Sequence, residues 1–247
     1  MRKTLSFLVL PLALTLASCD KKPDSTAPVA PADGSAIDKI APPAGKTWPD
    51  VVAATADGGM LMGNPNAPIK LLEYGSLSCP HCAKFAQDGF RKLVDSYVTS
   101  GRVSYEFRSF AIHPQDVPLT VLARCSSPEA YFGLVEQVYI NFESMNEVMA
   151  KGIPAATAAQ SLPPAQRFVA LSDALGYTDF FAARGVSRDQ AHACLANLTA
   201  AEKVAKDSEK YSTNGIESTP TIIINGSKSG VNTWAEIEPM LQRAGAR

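Results

Sequence analysis

A short apolar run, Ile69-Lys70-Leu71-Leu72-Glu73-Tyr74, leads within a few residues into Cys79-Pro80-His81-Cys82, and a helical pattern follows at once. No other segment constrains the chain as much. The run has the length and apolar content of a buried strand. From Ala83 to Val98, the residues Phe85, Ala86, Phe90, Leu93, Val94 and Tyr97 recur at about a helical period, which predicts a helix with one buried face. Two cysteines in the first turn of that helix share a face and lie within bridging reach. The pattern reads as a reversible dithiol. Half of a zinc site is the competing reading, but zinc needs further ligands, and neither Cys125 nor Cys194 comes in a second C-x-x-C. No metal or cofactor is expected.

The 247 residues are 46% hydrophobic and 19% charged, an ordinary composition for a globular protein with one sizeable core. A net charge of −1 carries no footprint of a nucleic-acid partner. At the N-terminus, Arg2 and Lys3 precede an apolar run from Leu5 to Leu16, too short to span a bilayer and suited to a signal-peptide core. The run closes on Leu16-Ala17-Ser18-Cys19, which resembles the lipobox of bacterial lipoproteins, where Cys19 would be lipidated and become the mature N-terminus. An ordinary signal peptide that happens to end at a cysteine is the alternative. Asp20 resembles the enterobacterial mark for retention at the inner membrane. Residues 1–18 are therefore read as a signal peptide. Residues 19–57 are read as a lipidated cysteine and a Pro/Ala-rich tether, because six of the 18 prolines fall there and little apolar area is available for burial. The expected location is the periplasm, tethered to the inner membrane, where disulfides persist.

Strand patterns at Gly59–Met62, Ile69–Tyr74 and Val103–Phe110 flank the helix that begins at Pro80 and runs to about Thr99. A β-branched strand, Pro220–Ile224, then meets the turn signal Asn225-Gly226 and a short run over Ser227–Val231. Thr233-Trp234-Ala235-Glu236 is a capping box opening a last helix, in which Pro239 predicts a late start or a kink. Between these halves the signals are helical. Ser126-Ser127-Pro128-Glu129 opens a segment with Tyr131, Leu134, Val135, Val138 and Phe142 on its apolar face, and Pro163-Pro164 opens another that ends at Gly176. Ser187 to Gln190 and Thr199 to Glu202 match further capping boxes. The expected fold is α/β, with residues 58–112 and 217–247 as two halves of one domain and 113–216 as an all-helical insertion.

Glu73, Cys79-Pro80-His81-Cys82, the helical insertion and the late Thr219-Pro220 together resemble the DsbA family of thiol:disulfide oxidoreductases, which share a thioredoxin-like fold. The resemblance covers residues 58–247. It implies an extracytoplasmic enzyme that donates the Cys79–Cys82 disulfide to reduced cysteines of exported proteins, with a DsbB-like membrane protein as reoxidant. A monomer is expected. The family's buried acid falls at Glu73, which could relay the proton of Cys82; an edge-facing carboxylate with its head in solvent is the alternative. The family also places a cis-proline against the dithiol, which here is Pro220, with the backbone of Thr219 free to pair with an extended substrate.

The residues support the same chemistry directly. Cys79 at a helix N-terminus faces N–H groups without intrahelical partners, and these favour the thiolate. Cys79 is expected to be the exposed nucleophile and Cys82 the shielded resolving thiol. His81 can add a donor or a positive charge beside the sulfur, and Pro80 stiffens the first turn without losing a needed hydrogen bond. Cys125 and Cys194 remain as a pair for a structural disulfide, with two buried free thiols as the alternative. His113 and His192 read as loop or surface histidines. Two rival functions stay open: an isomerase or reductase on the same fold, and a copper chaperone or assembly factor that binds metal through Cys79 and Cys82.

Overall fold

The structure is a computed structural model describing residues 34–247. The expected signal peptide, the Cys19 lipidation site and the tether up to residue 33 lie outside the described residues. Six strands form one mixed sheet in the order β1-β2-β4-β3-β5-β6. They are β1 (Val52–Ala54), β2 (Met60–Met62), β3 (Ile69–Gly75), β4 (Val103–Ser109), β5 (Thr221–Ile224) and β6 (Ser227–Lys228). β3 and β4 run parallel, from Ile69 opposite Val103 to Gly75 opposite Ser109. A parallel pair needs a crossover, and helix α1 (Pro80–Lys92) supplies it. Elements cover both faces of this central pair, which is why both strands read as nearly continuous buried runs.

The helix expected to reach Thr99 is regular only to Lys92; Leu93–Val98 continue it as a π-helical turn that buries Leu93, Tyr97 and Val98. Between β4 and β5 lie α2 (Asp116–Ala123), α3 (Tyr131–Ile140), α4 (Phe142–Ala159), α5 (Pro164–Ala174), α6 (Tyr177–Ala182), α7 (Arg188–Ala196) and α8 (Leu198–Thr213). Phe142 opens α4 rather than closing the apolar face of α3. These helices and the sheet share a large apolar core, in which Phe107 of β4 meets Tyr139 of α3 edge-to-face at 6.4 Å, and Tyr74, Phe110, Tyr211 and Ile216 form a smaller cluster. Across the α1–α3 seam, Gln87 Nε2 donates to the Tyr139 carbonyl at 2.8 Å, and Arg91 pairs with Glu136. Cys125, just after α2, is bridged to Cys194 in α7 across a separation of 69 residues.

Local signals are mostly honoured. Asn225 and Gly226 both take positive φ, 49° and 82°, in the tight turn that joins β5 to β6. Ser187 caps α7 by accepting from the Gln190 N–H. The Thr199 box is different: α8 starts earlier, capped by Asn197, whose Oδ1 accepts from Thr199 N at 3.1 Å. An Asx acceptor placed two residues ahead satisfies the orphan donor first. Helix α9 (Trp234–Arg243) begins directly after Thr233, not late, and Pro239 is accommodated within it. Trp234 packs edge-to-face on Phe85 of α1 at 6.1 Å and lies over Gly89, where any Cβ would strike its ring.

The expected tether requires correction over residues 34–57. Ile37 N donates to the Gly245 carbonyl and Ile40 N to the Ser100 carbonyl, each at 2.9 Å. Trp48 is buried and its Nε1 donates to the Ile40 carbonyl at 2.7 Å. β1 then adds itself to the sheet edge, Val52 opposite Met62. Composition averaged over the segment hid apolar anchors, Ile37, Ile40 and Trp48, that pack on the core.

Candidate functional site

Everything at the site follows from where α1 begins. Cys79 occupies its N-cap position with extended backbone (φ −90°, ψ 123°), and Pro80 follows at the first helical position, where a missing N–H costs nothing. This places Cys79 Sγ at the N-terminal end of α1, where the backbone of His81 and Cys82 favours its anion. The thiol pKa falls from 9.0 to about 5. The hydrogen bond from the Cys82 thiol is the largest cause, with Thr219 and the two backbone amides adding to it and burial opposing. Cys82, one turn into the helix, behaves oppositely: burial pushes its thiol well above the usual range, and the nearby Cys79 and Glu73 push the same way. Two identical side chains three residues apart thus differ sharply in acidity.

One expectation about exposure is overturned. Cys79 is only 4% exposed, against 0% for Cys82. The cause is the loop ahead of β5: the Thr219–Pro220 peptide is cis, and in the thiol form Cys79 Sγ donates to the Thr219 carbonyl at 3.5 Å. The buried Thr219 hydroxyl has no partner in that state, so it can turn to an ionised sulfur. His81 and Pro80 are exposed at the rim.

Glu73 is 1% exposed on β3, beneath the dithiol, so the edge-facing alternative does not hold. Its Oε2 accepts a hydrogen bond from Tyr105 Oη at 2.6 Å, and Oε1 has no partner. Burial raises this carboxyl to about 7; the Tyr105 hydrogen bond works against that, and the Cys79 charge works with it. A carboxyl that titrates near neutrality and whose charge is felt by a high-pKa thiol is suited to exchange a proton with it.

Sequence reasoning missed the group that holds the loop ahead of Cys79. Asp116, at the start of α2, is 0% exposed. Its carboxylate accepts from Ser76 Oγ and from the backbone N–H groups of Ser78, Ile112 and His113, at 2.9 to 3.0 Å. Ser76 N–H in turn faces Cys82 Sγ, while the Ser76 carbonyl accepts from Cys79 N and from Tyr139 Oη. His113 is exposed as expected, but its Nδ1 also lies 2.9 Å from Ser78 Oγ, beside the site. His192 is remote and pairs with Asp173. An acidic first helical turn was visible in the sequence; its convergence on residues about 40 positions away was not.

A parallel strand pair joined by a helix whose first turn carries C-x-x-C, facing a cis-proline loop, defines a dithiol protein of thioredoxin fold. The sequence profile described as thioredoxin matches residues 55–243, and the chain belongs to that family. The protein-disulfide isomerase of Novosphingobium aromaticivorans has a crystal structure that superposes with a TM-score of 0.71 at 29% identity, over 77% of this chain and 99% of that one. α-DsbA1 of Wolbachia pipientis shares the fold, with a TM-score of 0.59 at 24% identity over 75% of this chain and 89% of its own. In sequence, a Rickettsia conorii protein provisionally named a protein-disulfide oxidoreductase is 27% identical over 124 residues. That match takes in 47% of this chain and 45% of the relative, so the chain spans under half of that protein's length. Disulfide bond formation protein D of Bacillus subtilis is 23% identical over 68% of each chain.

Proposed function

We propose that this protein is an extracytoplasmic thiol:disulfide oxidoreductase that donates the Cys79–Cys82 disulfide to reduced cysteines of exported proteins. The observation that carries this reading is the C-x-x-C pair at the N-terminus of α1 against the cis-Pro220 loop, with Cys79 capping the helix and favoured as a thiolate and Cys82 fully buried one turn in. A sulfur that is stable as an anion is a good leaving group and favours the reduced protein, so its disulfide is a strong oxidant.

A substrate thiolate attacks Cys79 Sγ of the disulfide, and the bond's electron pair leaves on Cys82 Sγ. Glu73 delivers a proton there, since a bare Cys82 thiolate is disfavoured. A second substrate thiolate then attacks the substrate sulfur of the mixed disulfide, and Cys79 departs as a thiolate. The substrate loses two electrons and gains a disulfide; the protein holds both electrons as two reduced cysteines. The Thr219 backbone beside Cys79 offers an edge for an extended substrate segment. His81 and Pro80 shape the rim. A DsbB-like membrane protein serves as reoxidant. The molecule acts as a monomer, held at the periplasmic side of the inner membrane through lipid on Cys19; among the described residues no helix is long and apolar enough to cross a membrane.

The second reading is an isomerase of the same chemistry, favoured by the 29%-identical protein-disulfide isomerase. A redox titration against glutathione, run beside rescue of scrambled ribonuclease, separates the two. An oxidising potential with net oxidation of reduced ribonuclease is expected. Rescue without net oxidation would replace the oxidase with the isomerase, and Cys79→Ser retaining either activity would end both readings.

A further inference from the structure

Beneath the dithiol, the buried acid is held by a partner that no sequence signal marked. Tyr105 lies on β4 opposite Leu71, two residues along the parallel ladder from Glu73 opposite Phe107, so both side chains stand on the same face of the sheet. Its ring is locked against Phe132 at 5.4 Å and Phe90 at 6.1 Å, and its hydroxyl donates to Glu73 Oε2 at 2.6 Å. The other carboxyl oxygen is unpartnered and lies over Gly75, where a Cβ would stand 2.8 Å away. Gly75 therefore leaves the space that Oε1 uses.

We propose that Tyr105 is a positioning residue for the thiol–disulfide reaction: by occupying Oε2 of Glu73, it assigns the exchangeable proton to Oε1, the oxygen left free in the gap at Gly75. The inference rests on the oxidoreductase reading and deepens it. A hydroxyl donating to Oε2 excludes a proton from that side of the carboxyl. Burial keeps the Tyr105 hydroxyl protonated far above neutral pH, so it remains a donor throughout. The same hydrogen bond holds Glu73 below the value that burial alone would impose. Glu73 thus ionises early enough to take the Cys82 proton when Cys82 attacks a mixed disulfide on Cys79.

The test is the pH profile of that resolving step. Reduced full-length protein is mixed with oxidised glutathione, acid-quenched at intervals, and the glutathionylated and bridged forms are separated by mass. Wild type should show a rate limb with a midpoint at or somewhat below about 7, since the Cys79 charge that helps raise Glu73 is absent from the mixed disulfide. Tyr105→Phe should move this limb up by about one pH unit, leaving the step roughly tenfold slower at pH 6. In a Glu73→Gln background, where the limb is gone, adding Tyr105→Phe should change the rate by less than about twofold. A Tyr105→Phe profile that overlays wild type would overturn the inference while leaving the acid in place. So would an equal slowing at every pH in both backgrounds. A limb that survives Glu73→Gln would instead remove Glu73 from the chemistry, and with it the acid in the proposed mechanism.

Discussion

Acidifying the solution from pH 7 to pH 5 should erase most of the stability that the Cys79 thiolate lends the reduced protein. The thiol titrates at 9.0 when unperturbed and about 5 in the folded state. A depressed pKa contributes fully above the unfolded value and is lost as pH falls through the folded one. At pH 7, two units below the unfolded value, the contribution is about 2.7 kcal/mol at ~1.36 kcal/mol per unit. At pH 5 only about 0.4 kcal/mol remains, so the expected loss is roughly 2.3 kcal/mol. Glu73 titrates in the same window with the opposite sign, its raised pKa favouring the fold as pH drops below about 7. That effect is common to the reduced and oxidised forms and largely cancels in their difference. The assay is therefore denaturant unfolding of both forms at each pH, with the ultraviolet absorbance of the thiolate followed in wild type and Cys79→Ser. Expressed as potential, about 2.7 kcal/mol makes the disulfide ~60 mV more oxidising than one with an unperturbed thiol. A stability difference that stays flat between the two pH values, or a thiolate midpoint near 9, would refute the reasoning.

Replacing Cys125 and Cys194 together by alanine should cost roughly 4 kcal/mol of unfolding free energy by loop-closure entropy, while leaving the Cys79 thiolate midpoint unmoved. Asp116→Ala strands the N–H groups of Ser78, Ile112 and His113; a destabilisation of about 3 kcal/mol, with an upward shift of the Cys79 midpoint as its loop relaxes, is expected from unfolding and thiolate titration. Trp48→Ala should cost about 3 kcal/mol or more in denaturant unfolding if residues 34–57 are docked as described, and nothing if they behave as a free tether.

Much of the scaffold was legible because its signals are local. The strand–dithiol–helix junction, the Asn225-Gly226 turn and the Ser187 cap each depend on residues within a few positions of one another. Where local signals competed, the reading slipped: Asn197 displaced Thr199 as a cap, and the Phe142 side chain fell on the helix after the one expected. Averaged composition failed over residues 34–57, since docking there turns on a few well-placed anchors and not on how apolar the whole segment is.

From the chain alone one could place two cysteines at a helix N-terminus, and hence a sulfur favoured as an anion, because capping geometry is decided by neighbours along the backbone. Only the tertiary structure set the acidity of the second thiol, buried Cys79 beneath the Thr219 loop, closed Cys125 onto Cys194, and brought Asp116 and Tyr105 to their partners. Desolvation and buried hydrogen bonds are made by residues that packing brings together from distant parts of the chain, and such proximity has no periodicity to read.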